Sequence, residues 1–322
     1  MPLSYDSMAA VVLLPPLRGR LGDHKLLRWL SQSQLEQVPV PVDPLAQVLG
    51  ALGLERPVEG LAALRMWGQT GDRPGTWVAA ADPVYMEPQL DRLLLHVLGP
   101  GDVSRPEMRR LFDGLQETLG ADGAFGFARL GGCGYIRSGR PMVTARVPTV
   151  LLDRQSPEGS LPPAAAAADT LKLISEIEMT LHEQPVNMER QARGQPPVNS
   201  LWIWGGGYAP AQHAAPVPPL YADDPLLRGY WVSVSGTAQA WPGTIGACLD
   251  ATPGGFVAEI PSEPDDGAAL NGELLVLRDA LRSGRLRHAV VISADGLRAT
   301  LRRSDRYRVW RRTSAMLDGA PA

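Results

Sequence analysis

Along this chain the spacing of apolar residues switches between continuous, alternating and helical patterns, and the switches mark out its elements. Ala9 to Leu14 is an unbroken apolar run with β-branched members, stopped by Pro15-Pro16, as expected of a strand buried on both faces. Leu17 to Trp29 and Asp43 to Leu54 then read as helices. In the second, Asp43 is placed to cap, Pro44 takes the first helical position, and Leu45, Val48, Leu49 and Leu52 share one face before Gly53. Gly60 to Trp67 predicts a short helix, Trp77 to Ala80 and Leu93 to Leu98 predict strands, and Asp82-Pro83 predicts a turn between them. Ser104 to Leu119 carries a capping-box spacing, Ser104 with Glu107, ahead of an apolar stripe through Met108, Leu111, Phe112, Leu115 and Leu119. Short strands are expected at Ala124 to Leu130, Gly134 to Ile136 and Val147 to Leu152.

The middle of the chain holds its most distinctive text, HEQPVNMERQARGQPPVNSLWIWGGGY from His182 to Tyr208. A long helix from about Ala164 is expected to end here, before Pro185. A polar basic loop with Asn187, Arg190, Arg193 and Asn199 follows, then a buried strand, Leu201 to Trp204, and a turn at Gly205, Gly206 and Gly207. Arginine forks beside neutral amides suit a carboxylate or phosphate, and a glycine turn presents backbone N–H groups to an anion. Asn187, Arg190, Asn199 and Gly205 to Gly207 are therefore the candidate ligand-binding residues. Two arginines in a solvated loop and three glycines turning under a tryptophan-rich core are the plainer account of the same text.

Beyond it, four prolines between Ala209 and Pro219 read as a surface crossing or a domain boundary. A helix from Asp224-Pro225 through Tyr230, a strand from Trp231 to Val234, a helix from Ala268 to Ser283, and strands at His288 to Ser293, Leu297 to Arg303 and Tyr307 to Trp310 complete the chain. The alternation predicts an α/β fold, a mixed sheet flanked by helices, in two parts, 1–208 and 209–322, packed as one unit.

The 322 residues, a net charge of −3 and 44% hydrophobic content describe a globular chain with no basic footprint for nucleic acid. No apolar run reaches the ~18 residues of a membrane span, and the N-terminus lacks a basic leader region, so a cytoplasmic location is expected. Cys133 and Cys248 are too far apart in sequence to suggest a disulfide framework or a thiolate metal site. The HExxH, GxSxG, GxxxxGK[ST] and GxGxxG patterns are all absent. His24, His96, His182, His213 and His288 are scattered, and Asp23, Asp82 and Asp295 stand near expected strand or helix ends.

QPVNMERQARGQPPVNSLWIWGGG resembles the HPVN…R…G…PAN…RGAG segment of the archaeal-type cofactor-independent phosphoglycerate mutases, members of the alkaline phosphatase superfamily. Asn187, Arg190, Gly194, Pro197, Asn199, Gly205 and Gly207 match it. The resemblance extends weakly through Asp223 to Gly229 and covers about a quarter of the chain well. A divergent bacterial branch of regulatory or uncharacterised proteins carries the same WGGG form. The resemblance implies an alkaline-phosphatase-like fold, two metal ions held by Asp and His, and a Ser or Thr nucleophile. Against it, Pro15-Pro16 follow the first strand where the family has Asp-Gly, Asp295-Gly296 stands where an Asp-His pair is expected, and Gln184 and Trp204 replace a His and an Arg. The expected function is thus regulatory or ligand-binding, with a small anionic metabolite as partner and no resident metal or other cofactor. The alternatives are an active mutase, which would need manganese or zinc, and a protein-interaction scaffold.

Overall fold

The computed structural model describes residues 9–99, 101–261, 267–308, 310–311 and 314–317. The chain divides into two compact units, unit 1 from Met1–Arg56 with Gln212–Ala322 and unit 2 from Pro57–Ala211. A single cut after residue 208 is what the sequence suggests; the structure has two, and the N-terminal segment belongs with the C-terminal part. Strand pairing explains this, because the first strand finds both neighbours near the other end of the chain.

In chain order the described elements of unit 1 begin with β1 (Ala9–Leu14), α1 (His24–Gln32), β2 (Gln34–Gln37) and α2 (Pro44–Leu52). Unit 2 holds α3 (Leu61–Thr70), β3 (Trp77–Pro88), β4 (Leu93–Val97), α4 (Arg105–Leu119), β5 (Phe125–Leu130), β6 (Cys133–Ser138), α5 (Ala168–His182), α6 (Pro185–Ala192) and β7 (Ser200–Gly207). Unit 1 resumes with β8 (Leu220–Tyr221), α7 (Pro225–Ser233), β9 (Ala238–Gln239), α8 (Ile245–Ala251), β10 (Gly255–Glu259), α9 (Gly267–Ser283), β11 (His288–Ser293) and β12 (Leu297–Arg302).

Among the described residues the unit 1 sheet runs β2-β12-β11-β1-β10-β8-β9. β1 lies parallel to β10 and β11, with Val11 opposite Val257 on one side and Val290 on the other, so its apolar run is buried on both faces. Ala10, Val12 and Leu14 alternate onto the face covered by Leu26 and Leu30 of α1, Leu249 of α8, and Leu274 and Leu277 of α9. Each such fully buried leucine contributes about 1.5–3 kcal/mol. Because β1, β8, β10 and β11 are mutually parallel, their carboxyl ends gather along one edge.

α2 has the cap expected of it: Asp43 accepts the Ala46 N–H at 3.0 Å, Pro44 stands at N1, and Gly53 closes the helix at φ 72°. α1 starts at His24 rather than at Leu17, since the Leu17 and Arg18 amides bind Asp295 and Gly19 turns the chain at φ 74°. Trp231 to Ser233 is the last turn of α7 and not a strand. A stretch this short, with three apolar residues in four, fits either element, and the Asp224 cap with Pro225 at N1 decides for the helix. Of the strand expected from Tyr307 to Trp310, Tyr307 instead ends a 3-10 turn, Arg303–Tyr307, and Val309 lies outside the described residues.

In unit 2 the central strand is β3, which runs straight through the expected turn at Asp82-Pro83. One of its edges is shared by β6, paired along Trp77–Ala80, and β4, paired along Val84–Pro88; β7 lines the other. Pro83 falls between those two partners, where the ladder requires no N–H from it. α4 has its capping box, with Glu107 Oε2 accepting from the Ser104 N–H at 2.8 Å. Thr149–Leu152 is a 3-10 turn rather than a strand. The apolar faces of α4 and α5 close over β3, β6 and β7 through Phe112, Leu115, Leu173, Ile177, Ile136 and Ile203.

Candidate functional site

The central stretch folds as architecture. Asn187 and Arg190 lie in α6 and not in a loop, because Pro185 starts a second helix with only two residues between it and the end of α5. Asn187 is buried: its amide donates to Leu181 O and Val198 O, and its oxygen accepts the Val198 N–H. Arg190 is 0% exposed, donates to Pro196 O and Asp102 O at 2.9 and 2.8 Å, and pairs with Glu107 at 3.4 Å. Asn199 spans Met86, accepting its N–H and donating to its carbonyl. These three side chains hold α6, α4 and the β3 ladder in register, and none converges with the others on a shared cleft. Arg193 is half-exposed and bound to Glu107.

The glycines continue β7 rather than ending it. Gly205 donates to Ala145 O and Gly206 to Thr144 Oγ1, so those amides are occupied. A Cβ on Gly206 would stand 2.5 Å from Trp77 Cζ2, and one on Gly207 2.5 Å from Gly60 N. The glycines let the start of α3 reach the strand. They also line a cleft of about 420 Å³ with Thr144, Arg146, Tyr208 and Trp77. Beside it, Arg65 binds the Asp82 carboxylate at 2.9 Å while Asp82 Oδ2 accepts Trp204 Nε1 and Thr149 Oγ1 at 2.8 and 2.7 Å. Burial alone would favour a neutral Arg65, but Asp82 beside it raises its affinity for the proton. Asp82 is thus neither a turn cap nor an open ligand group.

A second cavity lies where parallel sheets take their ligands, outside the carboxyl ends of β1 and β10 in unit 1. It has a volume of about 290 Å³. Pro15 comes from the end of β1, Ile260 and Pro261 from the end of β10, Trp241 from the approach to α8, and Leu270 and Glu273 from the first turns of α9. Arg20 lines it from the β1 loop, its guanidinium free of hydrogen bonds and ion pairs among the described residues. Glu273 Oε2 accepts the Ile245 N–H at 2.6 Å, and burial pushes that carboxyl above its ordinary range.

Three described acids of unit 1, Asp295, Glu259 and Asp23, face the backbone. Asp295 Oδ2 accepts the N–H groups of Leu17 and Arg18 at 3.0 and 2.7 Å, and its other oxygen accepts from Ser293. Glu259, at the end of β10, accepts the Asp224 N–H at 3.1 Å; burial, then the charge of Asp224, raises its pKa to about 7. Asp23 caps α1 through the Lys25 N–H. Among the described residues no three His, Cys, Asp or Glu side chains come together in a way that could hold a metal ion. The donor set therefore does not fit the paired manganese or zinc ions that the resemblance implies.

Comparison with known proteins places this geometry. No family model matches the chain. It is 30% identical over 132 residues to a probable 2,3-bisphosphoglycerate-independent phosphoglycerate mutase of Geobacter sulfurreducens, covering 39% of this chain and 32% of that one. It is also 46% identical over 39 residues to the 2,3-bisphosphoglycerate-independent phosphoglycerate mutase of Methanosarcina mazei, 12% of this chain and 10% of that one. Over these stretches the chain is similar to 2,3-bisphosphoglycerate-independent phosphoglycerate mutases. Its matches span no more than about a third of these relatives' length. A Pyrococcus horikoshii structure superposes with a TM-score of 0.50 at 14% identity, covering 92% of this chain and 88% of that one. The cofactor-independent phosphoglycerate mutase of Thermoplasma acidophilum superposes at 0.45 and 16% identity, over 91% and 89%. The fold is α/β, with sheets flanked by helices, and is shared with the Pyrococcus horikoshii structure. No helix among the described residues is long and apolar enough to cross a membrane.

Arg20, Trp241 and Glu273 escape a reading of the sequence. The only trace of the cavity there is the buried strand ending at Pro15-Pro16, because β10, GFVAE, is too short and too close to a glycine pair to stand out.

Proposed function

We propose that this chain is a ligand-binding relative of the phosphoglycerate mutases that takes a small anionic metabolite at the carboxyl edge of the unit 1 sheet and carries out no phosphoryl transfer. The observation that supports the reading is the pairing of two facts at that edge. Arg20 lines a cavity with its guanidinium unengaged among the described residues, while Asp295 and Glu259, at the ends of β11 and β10, bind backbone N–H groups. A guanidinium in that position receives an anion. Phosphoryl transfer needs charge stabilisation on the transferring oxygens and an activated nucleophile, and the described residues of this edge bring together no metal-holding cluster that would supply them.

The test has two arms. Interconversion of 2- and 3-phosphoglycerate, followed in a coupled assay with added manganese, is expected to stay at background. Titration calorimetry with small carboxylates and phosphates is expected to show one saturable site that Arg20→Met weakens. Metal-dependent turnover would install the active-mutase reading instead. Absence of binding by every anion tried would remove the ligand-binding reading.

A further inference from the structure

The walls of the unit 1 cavity restrict the kind of anion that it can accept, and this step rests on the reading just given. We infer that the ligand is a single-ring aromatic or heteroaromatic acid, a carboxylate or a phosphate monoester, rather than a polyhydroxylated phosphate of the phosphoglycerate type. Among the described residues the cavity offers one cation, Arg20, and one carboxyl, Glu273. Pro15, Ile260, Pro261, Ala269, Leu270 and Trp241 supply the rest of its described side-chain wall.

Phosphoglycerate brings a phosphate, a carboxylate and a hydroxyl. Once Arg20 holds one charged group, the other would face apolar walls or the Glu273 carboxyl, and a buried anion without a partner is strongly disfavoured. A planar apolar body has the opposite match: proline rings and the partly exposed indole offer flat surfaces for it, with ring pairs favouring offset or edge contact. Size agrees as well. At about 290 Å³ the cavity is at the lower bound of small-molecule pockets, which suits one ring and its acidic group. Glu273 adds a directional element, because its Oε2 is occupied by the Ile245 N–H and its Oε1 has no partner among the described residues. A ring N–H or hydroxyl across from the acidic group would bind there.

The probes are phenyl phosphate, 3-phosphoglycerate and inorganic phosphate, titrated calorimetrically into the full chain at one ionic strength. Phenyl phosphate is expected to bind at least tenfold more tightly than 3-phosphoglycerate. Arg20→Met should weaken it at least tenfold. Trp241→Leu should reduce its advantage over inorganic phosphate while leaving phosphate itself unchanged, with thermal melts confirming that both variants fold. Equal or tighter binding of 3-phosphoglycerate, still lost in Arg20→Met, overturns the aromatic assignment and leaves the anion site intact. A phenyl phosphate preference that neither substitution changes locates binding elsewhere and overturns the inference. No binding of any probe removes both this inference and the function on which it rests.

Discussion

Arg190 is sealed against Glu107 in the core of unit 2, with side-chain exposures of 1% and 8% and 3.4 Å between the charged groups. The same Glu107 oxygen accepts from Arg193 at 2.5 Å, and its other oxygen closes the capping box of α4. One carboxylate therefore ties the start of α4 to the end of α6, and the distinctive arginine of the central stretch acts as a clamp between helices.

Arg190→Ala is expected to lower stability by about 3–5 kcal/mol, because it leaves Glu107 half-paired and two backbone carbonyls without donors in the interior. Urea unfolding measures this. A variant as stable as wild type, with loss of anion binding instead, would return Arg190 to the role of a ligand residue.

The acid side of the stability profile should carry the signature of Glu107. Burial opposes its charge, but the Ser104 amide and hydroxyl, with Arg193 and Arg190, hold its pKa at about 2, below the ordinary 4.5. The folded state thus favours the ionised form. Its contribution is complete above pH 4.5 and is lost as pH falls through about 2. Thermal melts of wild type and Glu107→Gln should differ most at pH 7 and converge only as pH falls to about 2.

Glu259 acts in the opposite sense. Its folded pKa of about 7 lies above the ordinary 4.5, so between those values the folded chain holds a proton that the unfolded chain releases. Stability from this group falls as pH rises from 4.5 to 7 and stays lowered above. Glu259→Gln, which keeps an acceptor for Asp224, should raise Tm at pH 8 and leave it nearly unchanged at pH 4.5. An equal gain at both values would show that the buried charge is not the cause.

Gly206→Ala should destabilise by about 1–3 kcal/mol, since its Cβ would meet Trp77 at 2.5 Å and Thr144 Oγ1 at 2.9 Å. Gly139→Ala serves as the control, having open space at that point and an expected change within about 0.5 kcal/mol. Chemical denaturation of the pair checks whether the glycines serve close packing.

Several elements follow from local text alone. The Asp43-Pro44…Gly53 and Ser104…Glu107 signals specify α2 and α4 because capping involves residues within a few positions of one another. β1, β11 and α9 are legible because their apolar periods are long and uninterrupted, and the resemblance in the central stretch pointed to the fold family. What depends on distant partners was not legible. Pro83 reads as a turn until β4 and β6 are seen to leave a gap beside it, and Pro185 reads as a stop until α6 begins there. Asn187, Arg190 and Asn199 have the residue types of an anion site, and residue type does not say whether a polar group faces solvent or a buried carbonyl. Tertiary structure decided that by placing Glu107, Val198 and Met86 against them. It also made the unit 1 cavity, by pairing β1 with β10 some 240 residues later, so that Arg20, Trp241 and Glu273 share a wall that no local pattern encodes.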